Sequence, residues 1–294
     1  MRVLVCGARG FIGQQVVQRL RAQGHEVISG VSREAGAQDV LVDYARDVDA
    51  AAWLPRLQGV DAVVNAVGVL RDSAARPIRA VHETVPQALW AACAQAGVGR
   101  VVQVSALGVD SADTVYAQTK RAADAALLAL QARGALSAAV VRPSVVFGRG
   151  GDSSALFMNL ARLPVLVLPA PMVRAQVQPV SVHDLADVLV GLLAPAHQAQ
   201  GVLTAVGATR LSMADLVASL RQQLGHGRAP LLPMPMWMTR LSARAGDFMP
   251  PQVPWCSETL AMLGQDNVGD GTAFESVLGR AAVGAHDLVA AAWG

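Results

Sequence analysis

Arg2-Val-Leu-Val-Cys6 runs straight into Gly7-Ala-Arg-Gly10-Phe-Ile-Gly13, and Val16, Val17 and Leu20 then lead to a stop at Gln23-Gly24. The first piece is a short apolar run with β-branched residues, which predicts a buried strand. The last carries apolar residues at helical spacing. Between them, Gly7 permits a tight turn, Gly10 lets the backbone approach a phosphate, and Gly13 lets the helix pack close to the strand. Main-chain amides and the positive end of the helix then face an anion. The spacing is G-x-x-G-x-x-G rather than the G-x-G-x-x-G of many dehydrogenases. Its place between a strand and a helix favours a nucleotide pyrophosphate over a bare turn.

Working outward, strand-like and helix-like segments alternate. Strands are predicted at 2–6, 26–31, 40–42, 62–65, 100–104 and 138–141. Helices are predicted near 11–23, 50–58, 77–96 and 114–133. The strands are continuous Val/Leu/Ala runs, the mark of strands covered on both faces. Repeated β-α units imply a doubly wound parallel α/β sheet of the Rossmann type with right-handed crossovers. The rhythm changes after Arg142-Pro143. Residues 1–147 are therefore read as the dinucleotide-binding core, completed by a return of 177–206 to the main sheet. Residues 148–176 and 207–294 are read as a smaller, interleaved substrate or partner lobe. Asp184 is expected to cap a helix, as is Ser212. The run Leu163–Val173 contains three prolines, which exclude a continuous membrane helix there. Residues 229–255 hold six prolines with Met234, Met236, Met238, Trp237 and Trp255. Core and loop packing is the preferred reading of that segment, since methionine fills irregular gaps. A pocket for a greasy substrate such as a quinone or isoprenoid, or a face that docks onto a membrane or a partner complex, is the alternative.

The bulk numbers exclude several classes. The 294 residues are 53% hydrophobic and 16% charged, which argues against disorder. A net charge of +2 without a basic block makes nucleic acid a poor partner. Cys6, Cys93 and Cys256 are odd in number and far apart, so a disulfide framework or zinc site is not expected and a reducing cytoplasm fits. No metal-ligand cluster, signal peptide or run of about 18 uncharged apolar residues is read from the chain.

Tyr116-Ala-Gln-Thr-Lys120 is the second chemical signal. On a helix its ends share one face. A lysine ammonium beside a phenol favours the phenolate, and so brings the tyrosine toward proton exchange with a substrate oxygen. Ser105 ends the preceding strand, where its hydroxyl would polarise the reacting oxygen. The pair opens the helix after the fifth strand, at the carboxyl ends where such sheets bind ligands.

Together these motifs resemble the short-chain dehydrogenase/reductase superfamily in its extended or atypical branch. Val104-Ser-Ala-Leu-Gly108, Arg142-Pro-Ser-Val-Val-Phe-Gly148, Gln178-Pro-Val-Ser-Val-His-Asp184 and Asp266-Asn-Val268 are similar to the atypical group typified by the 39 kDa subunit of complex I. The resemblance implies that Gly7, Arg9, Gly10, Phe11, Ile12 and Gly13 line the diphosphate. It puts Arg33 at the adenosine ribose, Asp43 beside the adenine, and Ala66 and Gly68 under the adenine ribose. Pro143 and Ser144 would stand near the nicotinamide, with Tyr116 and Lys120 serving both catalysis and cofactor. No acidic residue ends the second strand, and Ser32-Arg33 suits a 2′-phosphate, so NADP(H) is expected, with NAD(H) as the alternative. The sequence departs from the family at two points. His82 falls near the asparagine of many relatives and reads as an ordinary helix histidine. Ser105 is followed by Ala106-Leu107, where active relatives carry further hydroxyls.

The expectation is a nicotinamide-dependent oxidoreductase moving hydride to or from a carbonyl or alcohol carbon of an unassigned small molecule. A catalytically silent nucleotide-loaded factor for a respiratory complex, peripheral to the inner membrane, is the first alternative. A sugar-nucleotide epimerase or dehydratase is placed last, for want of a basic set for a second nucleotide.

Overall fold

The computed structural model describes residues 1–33, 36, 38–194, 199–249 and 255–293. They form two compact units: 1–109 with 115–142 and 185–203, and 110–114 with 143–184 and 204–294.

The first unit is built on β1 (Arg2–Cys6), β2 (Glu26–Val31), β3 (Asp39–Leu41), β4 (Ala62–Asn65), β5 (Arg100–Val104) and β6 (Ser137–Pro143). The sheet order is Gly201–Ala205, β6, β5, β4, β1, β2, β3. β1 to β6 are mutually parallel. This is the α/β, Rossmann-like sheet that the alternation of segments predicts. The chain leaves β1 and crosses to the far side of the sheet after β3, which puts a switch point at the ends of β1 and β4.

Strand alternation explains the all-apolar runs. Leu4 and Cys6 join Val63, Trp53, Leu89, Trp90, Val101, Leu127 and Val140 in one cluster. Val3 and Val5 point the other way and are just as deeply buried. A Val or Leu taken from water contributes roughly 1.5–3 kcal/mol, so polar substitution on either face of β1 is costly. Helices α1 (Phe11–Ala22), α2 (Ala50–Trp53), α3 (Val85–Ala96) and α4 (Val115–Ala132) connect the strands. The continuous helix expected over 77–96 is interrupted: Ala80–Thr84 form a π turn before α3. Pro86 lacks the N–H that would bond the His82 carbonyl, so the helix widens there.

The second unit packs around Phe147, Phe157, Leu168, Val177, Leu211 and Leu216. Of the residues 177–206 expected to rejoin the main sheet, only the final strand does so. Val180–Ser181 pairs instead with Val146–Phe147; Pro179 has no N–H for a longer ladder. Ser212 caps its helix, accepting from the Asp215 amide at 3.0 Å. Asp184 is not a cap. It lies inside the helix Val182–Gly191, where its carboxylate accepts from Arg280 Nη2 at 2.6 Å and the Val283 amide at 2.7 Å. The expected core role of 229–255 also fails over much of its length, because Leu232, Trp237, Leu241, Phe248 and Met249 are exposed. Pro250, Pro251 and Pro254 lie outside the described residues. Among the described residues no helix is long and apolar enough to cross a membrane.

Candidate cofactor and catalytic site

Gly7 adopts φ +76°, a conformation that side chains disfavour. A Cβ there would also lie 3.1 Å from Val67 Cγ2 and 3.2 Å from the Ala66 carbonyl. The Gly10 amide donates to the Gly7 carbonyl at 2.8 Å. A Cβ on Gly13 would stand 2.1 Å from the Gly7 oxygen, so only glycine lets α1 start this close to β1. Gly10 is the cap of α1 and offers no side-chain acceptor to the first-turn amides. Phe11 and Ile12, both half-buried, follow in that turn. A close, uncapped, positively polarised helix start is the cradle a dinucleotide pyrophosphate fits.

The adenosine-side residues are arranged around the next strands. Arg9 donates to the Arg33 carbonyl at 3.1 Å and to Asp39 Oδ2 at 3.0 Å. It therefore braces the β2–β3 connection as well as standing in the turn. The Gly36 amide, more than Arg9, holds the Asp39 carboxyl below its usual range. The Arg33 side chain is exposed. Asp43 accepts from the Ala45 amide at 2.9 Å and lies 3.8 Å from Arg46. Its neighbour Tyr44 reaches the glycine turn instead: the Tyr44 hydroxyl accepts from the Gly7 amide at 3.1 Å. Sequence reading missed Tyr44, and no spacing rule points to it.

A chain of contacts joins this turn to the tyrosine–lysine pair. Gly7 abuts Ala66 and Val67. A Cβ on Gly68 would meet Lys120 Nζ at 3.5 Å and His82 Nε2 at 3.7 Å. Lys120 is 3% exposed and donates to the Val104 carbonyl at 3.2 Å and the Val67 carbonyl at 3.4 Å. His82 Nε2 accepts from the Val69 amide at 2.9 Å. That bond puts the ring proton of neutral His82 on Nδ1, 3.4 Å from Thr119 Oγ1. The Tyr116 ring meets His82 edge to face at 5.1 Å. His82 thus packs against Tyr116 and beside Gly68, and the π turn delivers it there.

Burial sets the protonation states. It pushes the Tyr116 phenol up to about 12, with the Asp124 charge adding to the effect. It pushes Lys120 down to about 8 against the opposing pull of Asp124. The expected lowering of Tyr116 by Lys120 is therefore not found: desolvation acts first on both groups, and the charge that reaches each of them is that of Asp124. Tyr116 is a neutral proton donor at neutral pH. His82 is driven down to about 2, by burial first and Lys120 second. An unfolded chain protonates this histidine near 6.5 and the folded chain does not, so the unfolded state binds more protons between those limits. Stability consequently falls as pH drops below about 6.5, by up to about 1.4 kcal/mol per pH unit. Urea midpoints followed from neutral pH downward should show a slope shallower by one proton in His82→Gln than in the parent; equal slopes would contradict this assignment.

Ser105 is not free to polarise a substrate. It is 4% exposed and donates to Asp124 Oδ2 at 2.7 Å. Arg142 grips the same oxygen through Nε at 3.1 Å and Nη2 at 3.0 Å. Burial pushes Asp124 up, while Ser105 and Arg142 hold it back. Asp124 stands four residues after Lys120, a spacing from which it was legible. Pro143 closes β6, and Ser144 donates through Oγ to the Asn267 carbonyl at 2.9 Å. These two residues belong to the second unit. Among the described residues no group of three His, Cys, Asp or Glu side chains is placed to hold a metal ion.

Fold and site together define a dinucleotide-binding α/β protein with a tyrosine–lysine pair beside the cradle. The family model of the NAD dependent epimerase/dehydratase family matches residues 3–200, and the chain belongs to that family. It is 25% identical over 267 residues to the UDP-glucose 4-epimerase of Vibrio cholerae, covering 81% of this chain and 80% of that one. Its fold is similar to MoeE5 in complex with UDP-glucuronic acid and NAD, at TM-score 0.73 and 21% identity, covering 99% of this chain and 97% of that one. It is also similar to the UDP-glucuronic acid 4-epimerase of Bacillus cereus in complex with UDP-glucuronic acid and NAD, at TM-score 0.73 and 15% identity, with 99% and 98% covered. At these identities the structural likeness carries the fold.

Proposed function

We propose that the protein is a nicotinamide-dinucleotide-dependent enzyme acting at an alcohol or carbonyl carbon. Tyr116 would exchange a proton with the reacting oxygen, and Lys120 would hold the nicotinamide ribose and the charge beside the phenol. The carrying observation is the unbroken contact path from the Gly7 turn through Ala66, Val67 and Gly68 to Lys120 and His82, with Tyr116 on His82. The bound dinucleotide supplies the hydride donor or acceptor; the chain supplies the cradle, the proton and a dry surround. The relatives act on or bind UDP-sugars by name. A sugar nucleotide, placed last from sequence, is therefore the substrate class with most support. The exposed Arg33 after an acid-free β2 keeps NADP(H) as the proposed preference, although the structural neighbours are complexes with NAD.

One observation favours a second reading, a nucleotide-loaded protein without turnover. Ser105 is consumed by Asp124, and Ala106-Leu107 supply no hydroxyl. The two separate in one experiment. The protein is incubated with NAD⁺ or NADP⁺ and UDP-glucose or UDP-glucuronic acid, and the sugar products and nicotinamide absorbance are followed. Inverted or oxidised sugar supports the enzyme; retained dinucleotide with unaltered sugars supports the silent reading.

A further inference from the structure

The helix Met236–Asp247, in the second unit, carries its polarity the wrong way round for a surface helix. Thr239, Ala243 and Gly246 are its buried residues, spaced along one face. Diametrically opposite stand Trp237 and Leu241, with Phe248 continuing the same line at the helix end. They are 68%, 62% and 92% exposed. A surface helix ordinarily presents charge at those positions. The helix is not a loose appendage. A Cβ on Gly246 would come within 2.1 Å of the Trp255 carbonyl, and Asp247 accepts from the Ser257 amide at 2.8 Å. The apolar ridge is thus rigidly displayed. It is extended by the strand Leu231–Met234, which pairs with Leu166–Pro169 and sets exposed Leu232 opposite exposed Val167.

Arg240 and Arg244 flank the ridge one turn apart. They line a cavity of about 390 Å³ whose other walls include Pro171, Met236 and Leu260. Among the described residues neither guanidinium has a hydrogen-bonding or ionic partner. The pattern is an apolar crest bordered by two unpaired cations that open onto an apolar recess. A bilayer with anionic headgroups meets both demands at once, since apolar side chains sink about 5–10 Å to the acyl boundary while arginines meet phosphates above it. A protein partner would have to supply a carboxylate pair and an apolar trough in register.

We propose that this face docks the protein on the surface of an anionic lipid bilayer, with Trp237, Leu241 and Phe248 in the interfacial layer and Arg240 and Arg244 on lipid phosphates. The mode is surface attachment. The inference stands apart from the proposed reaction, because it uses no residue of the cofactor site.

The test is flotation of the full chain with vesicles of phosphatidylcholine alone or mixed with phosphatidylglycerol. The protein should float with the anionic vesicles and be released by salt. Trp237→Ser with Phe248→Ser should weaken binding at least tenfold. Arg240→Gln with Arg244→Gln should weaken it on the order of thirtyfold on anionic vesicles, about tenfold or less for each charge. Thermal melting and dinucleotide affinity should be unchanged in all variants, which separates a docking defect from a folding defect. Absence of binding to anionic vesicles, or equal binding by parent and variants, would overturn the proposal. So would occupation of this face by a protein or by a second copy without vesicle binding.

Discussion

Tyr116→Phe is expected to lower turnover by about 10²–10⁴-fold while leaving the fold and dinucleotide affinity intact. The substitution deletes one oxygen and keeps the ring, so the edge-to-face contact with His82 at 5.1 Å survives. The lost oxygen is the one group that would exchange a proton with the substrate. Because that exchange belongs to the transition state and not to ground-state binding, kcat and kcat/KM should fall together. The pH profile should change as well. Lys120 titrates near 8 in the folded chain, and activity that depends on its charge declines above that value in the parent. Residual turnover of the phenylalanine variant should keep this alkaline limb, because Lys120 is untouched; its loss should follow substitution of Lys120 instead. Unchanged turnover would remove Tyr116 from the mechanism.

Gly13→Ala should be the most damaging single methyl group in the chain. The new carbon would lie 2.1 Å from the Gly7 oxygen and 2.8 Å from its carbonyl carbon, both backbone atoms that cannot swing away. α1 must retreat from β1. Overpacking of this kind costs typically about 1–3 kcal/mol and sometimes more. The functional cost is larger, since the retreat misplaces every first-turn amide, and each hydrogen bond to a charged phosphate that is lost costs about 1.5–3 kcal/mol, roughly tenfold to a hundredfold in affinity. Dinucleotide affinity should therefore fall about a hundredfold in a chain that still folds. Gln14→Ala, one residue along the same helix, is the control and should bind as the parent does.

These expectations differ in how much of them the sequence alone made visible. The sheet was legible because β1, β2, β4, β5 and β6 are mostly apolar and buried on both faces, and each strand is separated from the next by a helical pattern or glycine stop. The Gly13 constraint was legible too, since a strand–turn–helix context leaves one geometry for three glycines. The floor of the site was not. Tyr44 reaches Gly7 from a loop after β3, and the contact exists only once β1, β2 and β3 are laid side by side. His82 needed the π turn that Pro86 imposes. The state of Tyr116 was not legible because spacing shows that Lys120 shares its helix face but not that Lys120 is buried and Tyr116 half-buried beside the Asp124 charge. The hold on Ser105 was not legible for a related reason: Asp124 is visible as the residue four beyond Lys120, whereas Arg142 comes to the same carboxylate from β6. The exposed ridge of Trp237, Leu241 and Phe248 was read as core, because methionine- and tryptophan-rich sequence looks alike whether it faces inward or outward.

The proposed reaction depends on the Gly7–Gly13 unit cradling a nicotinamide dinucleotide through main-chain amides. Calorimetric titration of the parent and Gly13→Ala chains, side by side, with NAD⁺, NADP⁺ and their reduced forms tests it most directly. Saturable binding of one dinucleotide per parent chain is expected, tighter for the phosphorylated carrier, with a loss of about a hundredfold in the variant. A folded parent that takes up none of the four at millimolar concentration, or a variant that binds as well as the parent, would contradict it.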